Sequence, residues 1–195
     1  MQRSLVGSEM CIRDSSCCFQ LTSITLPSGL TAIESGTFDL CKSLTTIDIP
    51  DSVAAIADDA FIGCKALQSF TLSPNHPYFF LADDALCRTA GSTFLLYPNA
   101  REPRTYRIPD GITAISAYAF YDCDLLESVV VPDSVTQLPA RAFSGCSALA
   151  SVSLPDSLTE IGTAAFSGCS ALTGIRIPAA ITAVSYTHLR AHETT

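Results

Sequence analysis

A 23-residue repeat is the feature that most constrains what this chain can fold into. The eight residues AFSGCSAL occur at 142–149 and again at 165–172. The full repeat reads C-x-x-L-x-x-I-x-I-P-x-S-V-T-x-I-x-x-x-A-F-x-x, and Leu, Ile and Val exchange at its apolar positions. A fixed period of roughly 20 to 30 residues with an L-x-x-L-x-L core indicates a leucine-rich repeat solenoid, in which each coil buries the apolar face of the next.

The residue types within one repeat predict its path. In the second copy, the alternation at Ile47 and Ile49 predicts a short strand with one buried face. Pro50 ends this strand because proline donates no hydrogen bond to a ladder and favours a turn. Ala60 and Phe61 are then expected to fill the convex side of the coil from a short helical turn or loop. The strands of successive coils should stack ~4.8 Å apart.

One copy of the repeat is longer than the others. Cys64 and Cys123 lie 59 residues apart, which is one regular repeat and one copy of 36 residues. We therefore expect a longer variant repeat at about 64–122. Within it, ALCRTAGSTFLLYP predicts two short strands around Thr89–Ser92, and thus an inserted β-hairpin. This hairpin is either a simple loop elaboration or a protrusion that binds a partner, since loops on repeat proteins carry recognition.

Both ends of the chain are expected to derive from adapter DNA. Codons chosen for Val6–Asp14, when read on the opposite strand, encode Val184–His192 without error, and the match extends to eleven codons. This DNA resembles the transposon-end adapter of short-read sequencing libraries. We therefore expect 1–15 to be an artefact without order, and 184–195 to be an artefact as well. The leucine-rich repeat domain is then a fragment, 16–183, whose true ends are missing.

The repeats resemble a known family. The phrase LTTIDIPDSVAAIADDAFIGC is similar to the repeats of the BspA-like leucine-rich repeat family of bacterial and protozoan surface proteins. The long copy, with NHPYFF and ALCRTAGSTFLLYPNAREPRTYRIPDGITAISAYAF, resembles the variant repeat that these proteins interleave with the short ones. The resemblance covers nearly all of 16–183. It implies a right-handed solenoid, with short parallel strands on the concave face, in a larger secreted or cell-surface protein that adheres to host matrix proteins or to other cells.

Several functional classes are not expected. A net charge of -8 argues against nucleic-acid binding, which needs a basic face, and no apolar run reaches the ~20 residues that span a bilayer. A cysteine or serine nucleophile needs a histidine base, and outside the terminal segments only His76 remains, which we expect in a solvated turn. Two acidic pairs lack the spacing of a calcium loop and fit surface charge better: Asp58-Asp59 and Asp83-Asp84. We therefore expect no enzyme activity, no cofactor and no metal.

Six cysteines occupy the same position of the repeat and should stack in a ladder: Cys18, Cys41, Cys64, Cys123, Cys146 and Cys169. Zinc sites usually need paired C-x-x-C ligands, and no such pair occurs. Disulfides between stacked neighbours are an alternative, but parallel Cβ atoms do not approach each other as a bridge requires. Buried free thiols are therefore the expectation. Cys17 and Cys87 fall outside this ladder, and the sequence leaves their redox state open.

The residues between the buried strand positions should point out of the concave face and form the candidate binding surface. This surface is predicted to contain Thr46, Asp48, Ser69, Thr71, Ser128, Val130, Ser151, Ser153 and Arg176. It is hydroxyl-rich and poor in the Trp, Tyr and Arg anchors that carry most binding energy, so it fits either a simple exposed sheet or a flat adhesive face. Affinity should be weak for each fragment and gain strength from many repeats.

The function that these observations favour is a non-enzymatic module for protein binding or adhesion. Its expected partners are host or microbial surface or matrix proteins, and its expected location is the cell surface or the secreted space. The alternative is a targeting or spacer array of a larger surface enzyme.

Overall fold

The computed structural model describes residues 18–102, 104–181 and 183–184, and the structural statements below concern these residues. The two terminal segments for which the sequence predicts an adapter origin lie outside the described residues, apart from Val184. Cys17 also lies outside them.

Most coils contribute two short strands that are separated by a proline-containing turn. In chain order the strands are β1 (Ala32–Ile33), β2 (Thr46–Asp48), β3 (Ala55–Ile56), β4 (Ser69–Thr71), β5 (Phe79–Ala82), β6 (Ala85–Arg88), β7 (Thr93–Leu96), β8 (Thr105–Arg107), β9 (Ala114–Ile115), β10 (Ser128–Val130), β11 (Gln137–Leu138), β12 (Ser151–Ser153), β13 (Glu160–Ile161) and β14 (Ala183–Val184).

The three-residue strands form the first sheet, which corresponds to the predicted concave face. β2 pairs with β4, and β8, β10 and β12 pair in order, all parallel. The partners are offset by one repeat, as in Ser128 opposite Ser151. In β2 the middle residue Ile47 is buried and its neighbours are exposed, as the alternation predicts. The predicted leucine-rich repeat solenoid is therefore confirmed.

The return segment of each coil forms a second sheet that the sequence analysis did not foresee. β1 pairs with β3, and β11, β13 and β14 pair in order, again parallel. On the remaining side, turns in successive coils bond directly, and Phe120 N–H donates to the Ala142 carbonyl oxygen at 2.8 Å. These turns are not helical, since the one helical element among the described residues is a 3-10 turn at Ala90–Ser92.

The core consists of stacked equivalent side chains. The rings of Phe120 and Phe143 lie 4.7 Å apart, and those of Phe143 and Phe166 lie 5.4 Å apart and are nearly parallel. Stacked rings add to the free energy of area burial, which is the main stabilisation of a solenoid. The buried residues divide into two clusters, one in the N-terminal coils and one in the C-terminal coils.

The long coil, which comprises residues 64–98, forms the boundary between these two clusters. The predicted hairpin is confirmed, since β6 and β7 pair antiparallel around Ala90–Ser92. A further strand, β5, precedes it and joins β6 through a two-residue turn at Asp83 and Asp84, both with positive φ. Leu86 faces the N-terminal cluster, whereas Cys87 faces the C-terminal cluster. β6 is therefore a buried partition within the solenoid, and of the two alternatives for the hairpin, a binding protrusion does not fit the buried strands β6 and β7.

The insertion also interrupts the ladders. β4 and β8 do not pair, and the second sheet breaks after β3. At that break, the Arg88 guanidinium donates to the Ile56 carbonyl oxygen and to Asp58, both at 2.7 Å, and to the Ser116 hydroxyl at 2.9 Å. A side chain from the hairpin thus supplies bonds that a neighbouring strand supplies in the regular coils.

Candidate protein-binding surface

Eight of the nine predicted binding residues lie on the first-sheet face, which is defined here as the outward side of β2, β4, β8, β10 and β12. Neighbouring coils bond to each other across this face through hydroxyl groups. Ser69 donates to Thr46 at 3.3 Å, and Thr71 donates to Asp48 at 2.7 Å. Ser151 donates to Ser128 at 2.9 Å. These bonds hold the small side chains flat and reduce the number of free donors available to a partner.

The structure does not bring all nine predicted residues together. Those on β2 and β4 belong to a two-stranded sheet, and those on β10 and β12 belong to a separate three-stranded sheet. Arg176 lies beyond β12 in a segment without strand pairing, with an exposed side chain. The candidate surface is therefore two patches with the long coil between them.

A groove of about 540 Å³ lies at the carboxyl ends of the strands in the C-terminal patch. Its floor includes Val130 and Ser153, and its rim carries an arginine at each side, Arg107 and Arg176. Each arginine forms an exposed ion pair: Arg107 with Asp110 at 2.9 Å and Arg176 with Asp156 at 3.1 Å. Exposed pairs contribute only about 0–1 kcal/mol, so a partner can displace the aspartates at little cost.

Arg107 and the aspartates of this groove are not among the binding residues that the sequence predicts. Arg107 follows Tyr106 in TYRIP, which aligns with TIDIP of the second copy, so the repeat pattern itself held the signal. The aspartates follow the proline that recurs in each turn, and equivalent turns stack. Asp133 lies in the same row as the two paired aspartates.

The repeat cysteines stack as a ladder of free thiols bonded to the preceding coil. Cys64 donates to the Phe38 carbonyl oxygen at 3.1 Å, Cys146 to that of Phe120 at 2.9 Å, and Cys169 to that of Phe143 at 3.1 Å. The four inner members are buried, whereas Cys18 and Cys169 are half-buried. These three thiols thus each satisfy a backbone acceptor of the preceding coil.

The pKa values of Cys64, Cys146 and Cys169 are raised, so these three thiols are protonated and poor nucleophiles near neutral pH. Burial raises the pKa of Cys64 to about 12. Hydrogen bonding to Cys123 and burial raise the pKa of Cys146. Cys87, which lies outside the ladder, is also a buried free thiol, and burial raises its pKa to about 12.

In the coil after the hairpin, Asn99 substitutes for the cysteine. Its amide donates to the carbonyl oxygens of Tyr121 at 3.0 Å and Asp122 at 3.1 Å, and its oxygen contacts the Cys123 thiol at 3.9 Å. Nothing in the repeat pattern pointed to Asn99, because it lies one residue before the position that aligns with cysteine.

The expectation that His76 lies in a solvated turn is wrong. His76 is 7% exposed, and its Nε2 lies 3.0 Å from the Pro50 carbonyl oxygen. Its Nδ1 accepts hydrogen bonds from the N–H groups of Tyr78 and Phe79. Since Nδ1 accepts, Nε2 carries the proton and donates to Pro50, so this histidine is a structural cross-link.

The two acidic pairs have separate structural contacts. Asp58 binds Arg88, and Asp59 accepts from Ser35 at 2.7 Å. Asp83 and Asp84 are the central residues of the β5–β6 turn, where aspartate tolerates positive φ better than most residues. Within the described part of the chain, no group of three His, Cys, Asp or Glu side chains is placed to hold a metal ion. No helix in these residues is long and apolar enough to cross a membrane.

Comparison with known proteins assigns the family. A sequence model of the BspA type leucine rich repeat region matches residues 15–81 and 99–192, in six copies. The chain belongs to the BspA-type leucine-rich repeat family. The match omits 82–98, which contains β6 and β7, so the partition is the part of this BspA-type chain that departs from the repeat.

Solved structures of bacterial leucine-rich repeat proteins are similar to this BspA-type chain. A leucine rich cell surface protein from Faecalibacterium prausnitzii is 35% identical with a TM-score of 0.78, over 87% of this chain and 45% of that one. A leucine-rich repeat protein from Bacteroides ovatus is 29% identical with a TM-score of 0.56, over 87% and 40%. The pneumococcal vaccine antigen PcpA, at 17% identity and a TM-score of 0.66 over 83% and 52%, shares the fold. The chain thus spans about half the length of these structures. Among curated proteins, none matches it by sequence.

Proposed function

We propose that this BspA-type chain is a non-enzymatic adhesion module of a cell-surface protein and that it binds host or microbial surface or matrix proteins. The observation that carries the proposal is the groove at the ends of β8, β10 and β12, with an arginine on each rim. Arginine is among the residues that most often dominate binding energy at protein interfaces. The similarity to a leucine rich cell surface protein supports the surface location.

The first-sheet face supplies the flat surface around this groove. Its small hydroxyl side chains exclude no partner by bulk, and the two arginines supply orientation through carboxylate groups of the partner. Because their own aspartates are exposed, the exchange of one carboxylate for another costs little. Affinity of one chain should therefore be modest, and many copies on one surface should raise it by avidity.

A binding screen with charge-matched variants tests the proposal. The full chain is passed over immobilised matrix proteins and over whole microbial cells, and retention is measured by surface plasmon resonance or flow cytometry. For a partner that binds, the double variant Arg107→Ser/Arg176→Ser should bind at least tenfold more weakly. The control Lys42→Ser/Arg141→Ser removes the same charge elsewhere and should bind as the parent does. Absence of any partner, or an equal loss in both double variants, would contradict the groove as the adhesive site.

A further inference from the structure

An exposed apolar patch on β5 is left unexplained by the proposed adhesive groove. Six large apolar side chains are exposed among the described residues, and three of them lie within four positions here: Tyr78 at 46%, Phe80 at 38% and Leu81 at 36% exposure. β5 is the outer strand of the sheet β5–β6–β7–β9, so one of its edges has no neighbouring strand. Exposed apolar side chains on both faces of an unpaired strand edge indicate an interaction surface.

The backbone of β5 has hydrogen-bonding groups to offer at this edge. Thr89 N–H donates to the Tyr78 carbonyl oxygen at 2.9 Å, so alternate residues from Tyr78 onwards bond to β6. Phe79 and Leu81 therefore direct their N–H and C=O groups away from β6. Phe79 N–H donates to His76 at 3.2 Å. The other outward groups are the Phe79 carbonyl and both groups of Leu81, and no described residue bonds to them.

This edge is held rigidly before any partner arrives. β6, to which β5 pairs along its length, contains three buried residues that pack into both core clusters. The β5–β6 turn has positive φ at Asp83 and Asp84, the geometry that matches the twist of a tight hairpin. A pre-ordered strand loses little conformational entropy when a second strand is added to it.

Carboxylates lie near both ends of this edge, although Arg101 pairs with Asp84 and Arg88 lies opposite Phe79. Asp83 and Asp84 follow the strand directly, and Asp83 forms none of the ion pairs in the described residues. Asp84 is 61% exposed although it pairs with Arg101 at 3.3 Å. Before the strand, Ser73 donates to Asp51 at 2.6 Å, beside the contact between His76 and Pro50.

We propose that the free edge of β5 binds an extended, basic peptide segment of a partner protein, which adds as a fifth strand to the sheet. The segment would alternate lysine or arginine with apolar residues, because cross-strand neighbours on one face would meet Phe80 and those on the other would meet Leu81. A second copy of this chain fits less well. Two β5 edges paired antiparallel would place the acidic turn of one copy beside the acidic end of the other.

The first experiment uses peptides as probes, with fluorescence anisotropy as the measurement. The full chain is titrated into a labelled octapeptide that alternates lysine with valine and phenylalanine. Two analogues serve as comparisons: one with glutamate for each lysine, and one N-methylated at alternate amides on its bonding edge. The basic peptide should bind, and both analogues should bind at least tenfold more weakly. No binding of the basic peptide, or equal binding of either analogue, would overturn the proposal.

Variants of the chain then test whether the peptide binds at the free edge of β5. Leu81→Pro removes the outward N–H without removing a bond to β6, since proline is tolerated at strand edges, and should weaken binding at least tenfold. Asp83→Asn keeps a residue suited to the turn and should weaken binding about threefold, with a smaller dependence on salt. Leu125→Ser, at another exposed apolar side chain, should leave binding unchanged. Thermal unfolding verifies that each variant is folded.

Two results separate this proposal from its rivals. If Leu81→Pro fails to fold, the N-methylated peptide still tests the strand addition. If the parent chain dimerises at micromolar concentration and Phe80→Ser abolishes the dimer, the occupant is a second copy and the basic-peptide proposal is overturned. The site is remote in sequence from the arginines of the groove, so loss of peptide binding leaves the adhesion proposal to its own test.

Discussion

The regular coils of residues 123–168 and the long coil of residues 64–98 satisfy their buried hydrogen-bonding groups in different ways. In the regular coils, backbone groups bond to the next coil at a constant offset, and the thiols of Cys146 and Cys169 donate to the carbonyl oxygens of stacked phenylalanines. In the long coil this offset changes, and single side chains bond to the backbone carbonyl oxygens instead. Arg88 bonds to Ile56, His76 to Pro50, and Tyr106 from the next coil to Ala82 at 2.7 Å. Buried polar groups must be satisfied, so a break in a repeat demands residues that occur only once.

The largest expected effect tests the regular side of this comparison. Phe143 is fully buried between Phe120 and Phe166. Phe143→Ala should leave a cavity and lower the free energy of unfolding by ~3–5 kcal/mol. Chemical denaturation measures this loss. A loss below about 1 kcal/mol would show that the stacked ring column is not the principal support of the regular coils.

The thiols give a prediction about alkaline pH. The pKa of Cys64 is about 12 in the folded chain and that of Cys87 is also about 12, against an ordinary value of 9.0. The folded state therefore holds these protons more tightly than the unfolded state. Their contribution to stability is complete below pH 9 and is lost as the pH rises from 9 to about 12, by roughly 1.4 kcal/mol per pH unit for each thiol. Denaturant titrations between pH 8 and 11 should show this fall, and Cys64→Ala should make it shallower. An unchanged slope in this variant would contradict the assignment.

Substitution of Arg88 should destabilise the long coil, whereas substitution of an exposed arginine elsewhere in the solenoid should not destabilise the protein. Arg88→Met leaves the Ile56 carbonyl, Asp58 and the Ser116 hydroxyl without their donor, and should cost about 2 kcal/mol. Arg104→Met is the matched control, because Arg104 pairs with Glu127 at 2.9 Å on an exposed surface. Its substitution should change the free energy of unfolding very little, because exposed ion pairs contribute little to stability. Equal losses in urea titrations would remove the distinction between the two regions.

Asn99 tests the coil in which the repeat resumes. Asn99→Ala removes the donor to two backbone carbonyls at a site that is 7% exposed, and should cost about 1–3 kcal/mol. Asn75→Ala, at an exposed asparagine of the long coil, should change the midpoint of thermal unfolding very little. If Asn99→Ala leaves the free energy of unfolding unchanged, the cysteine ladder tolerates the loss of one member.

The smallest effect is expected on the first-sheet face. Ser151→Ala removes one exposed hydroxyl bond to Ser128 and should cost less than about 0.5 kcal/mol. The same denaturation experiment as for Phe143→Ala measures it. Comparable losses at the two positions would contradict the assignment of inward and outward residues.

The repeated residues made the repeated structure predictable, whereas the single residues did not. Periodicity alone placed Ile47 inward and stacked the cysteines, because equivalent residues of successive coils meet by construction. Arg88 and His76 act on carbonyl groups 32 and 26 residues earlier, and each of these two side-chain bonds occurs once among the described residues. For β5, FFLADDALCR did contain a signal: two apolar runs flank two residues that favour turns. To predict the groove from the sequence, one must recognise that Arg107 and Arg176 occupy equivalent positions three repeats apart.

The buried partition at β6 has a consequence for how this array tolerates changes in length. In a nearest-neighbour description of a solenoid, each coil senses only the coils that it touches. Because β6 faces one cluster with Leu86 and the other with Cys87, the buried side chains on its two sides belong to separate clusters. Whole 23-residue units can therefore be gained or lost on one side of β6 without changing the stacking register of the coils on the other side. The long coil thus separates two arrays whose numbers of repeats can vary independently.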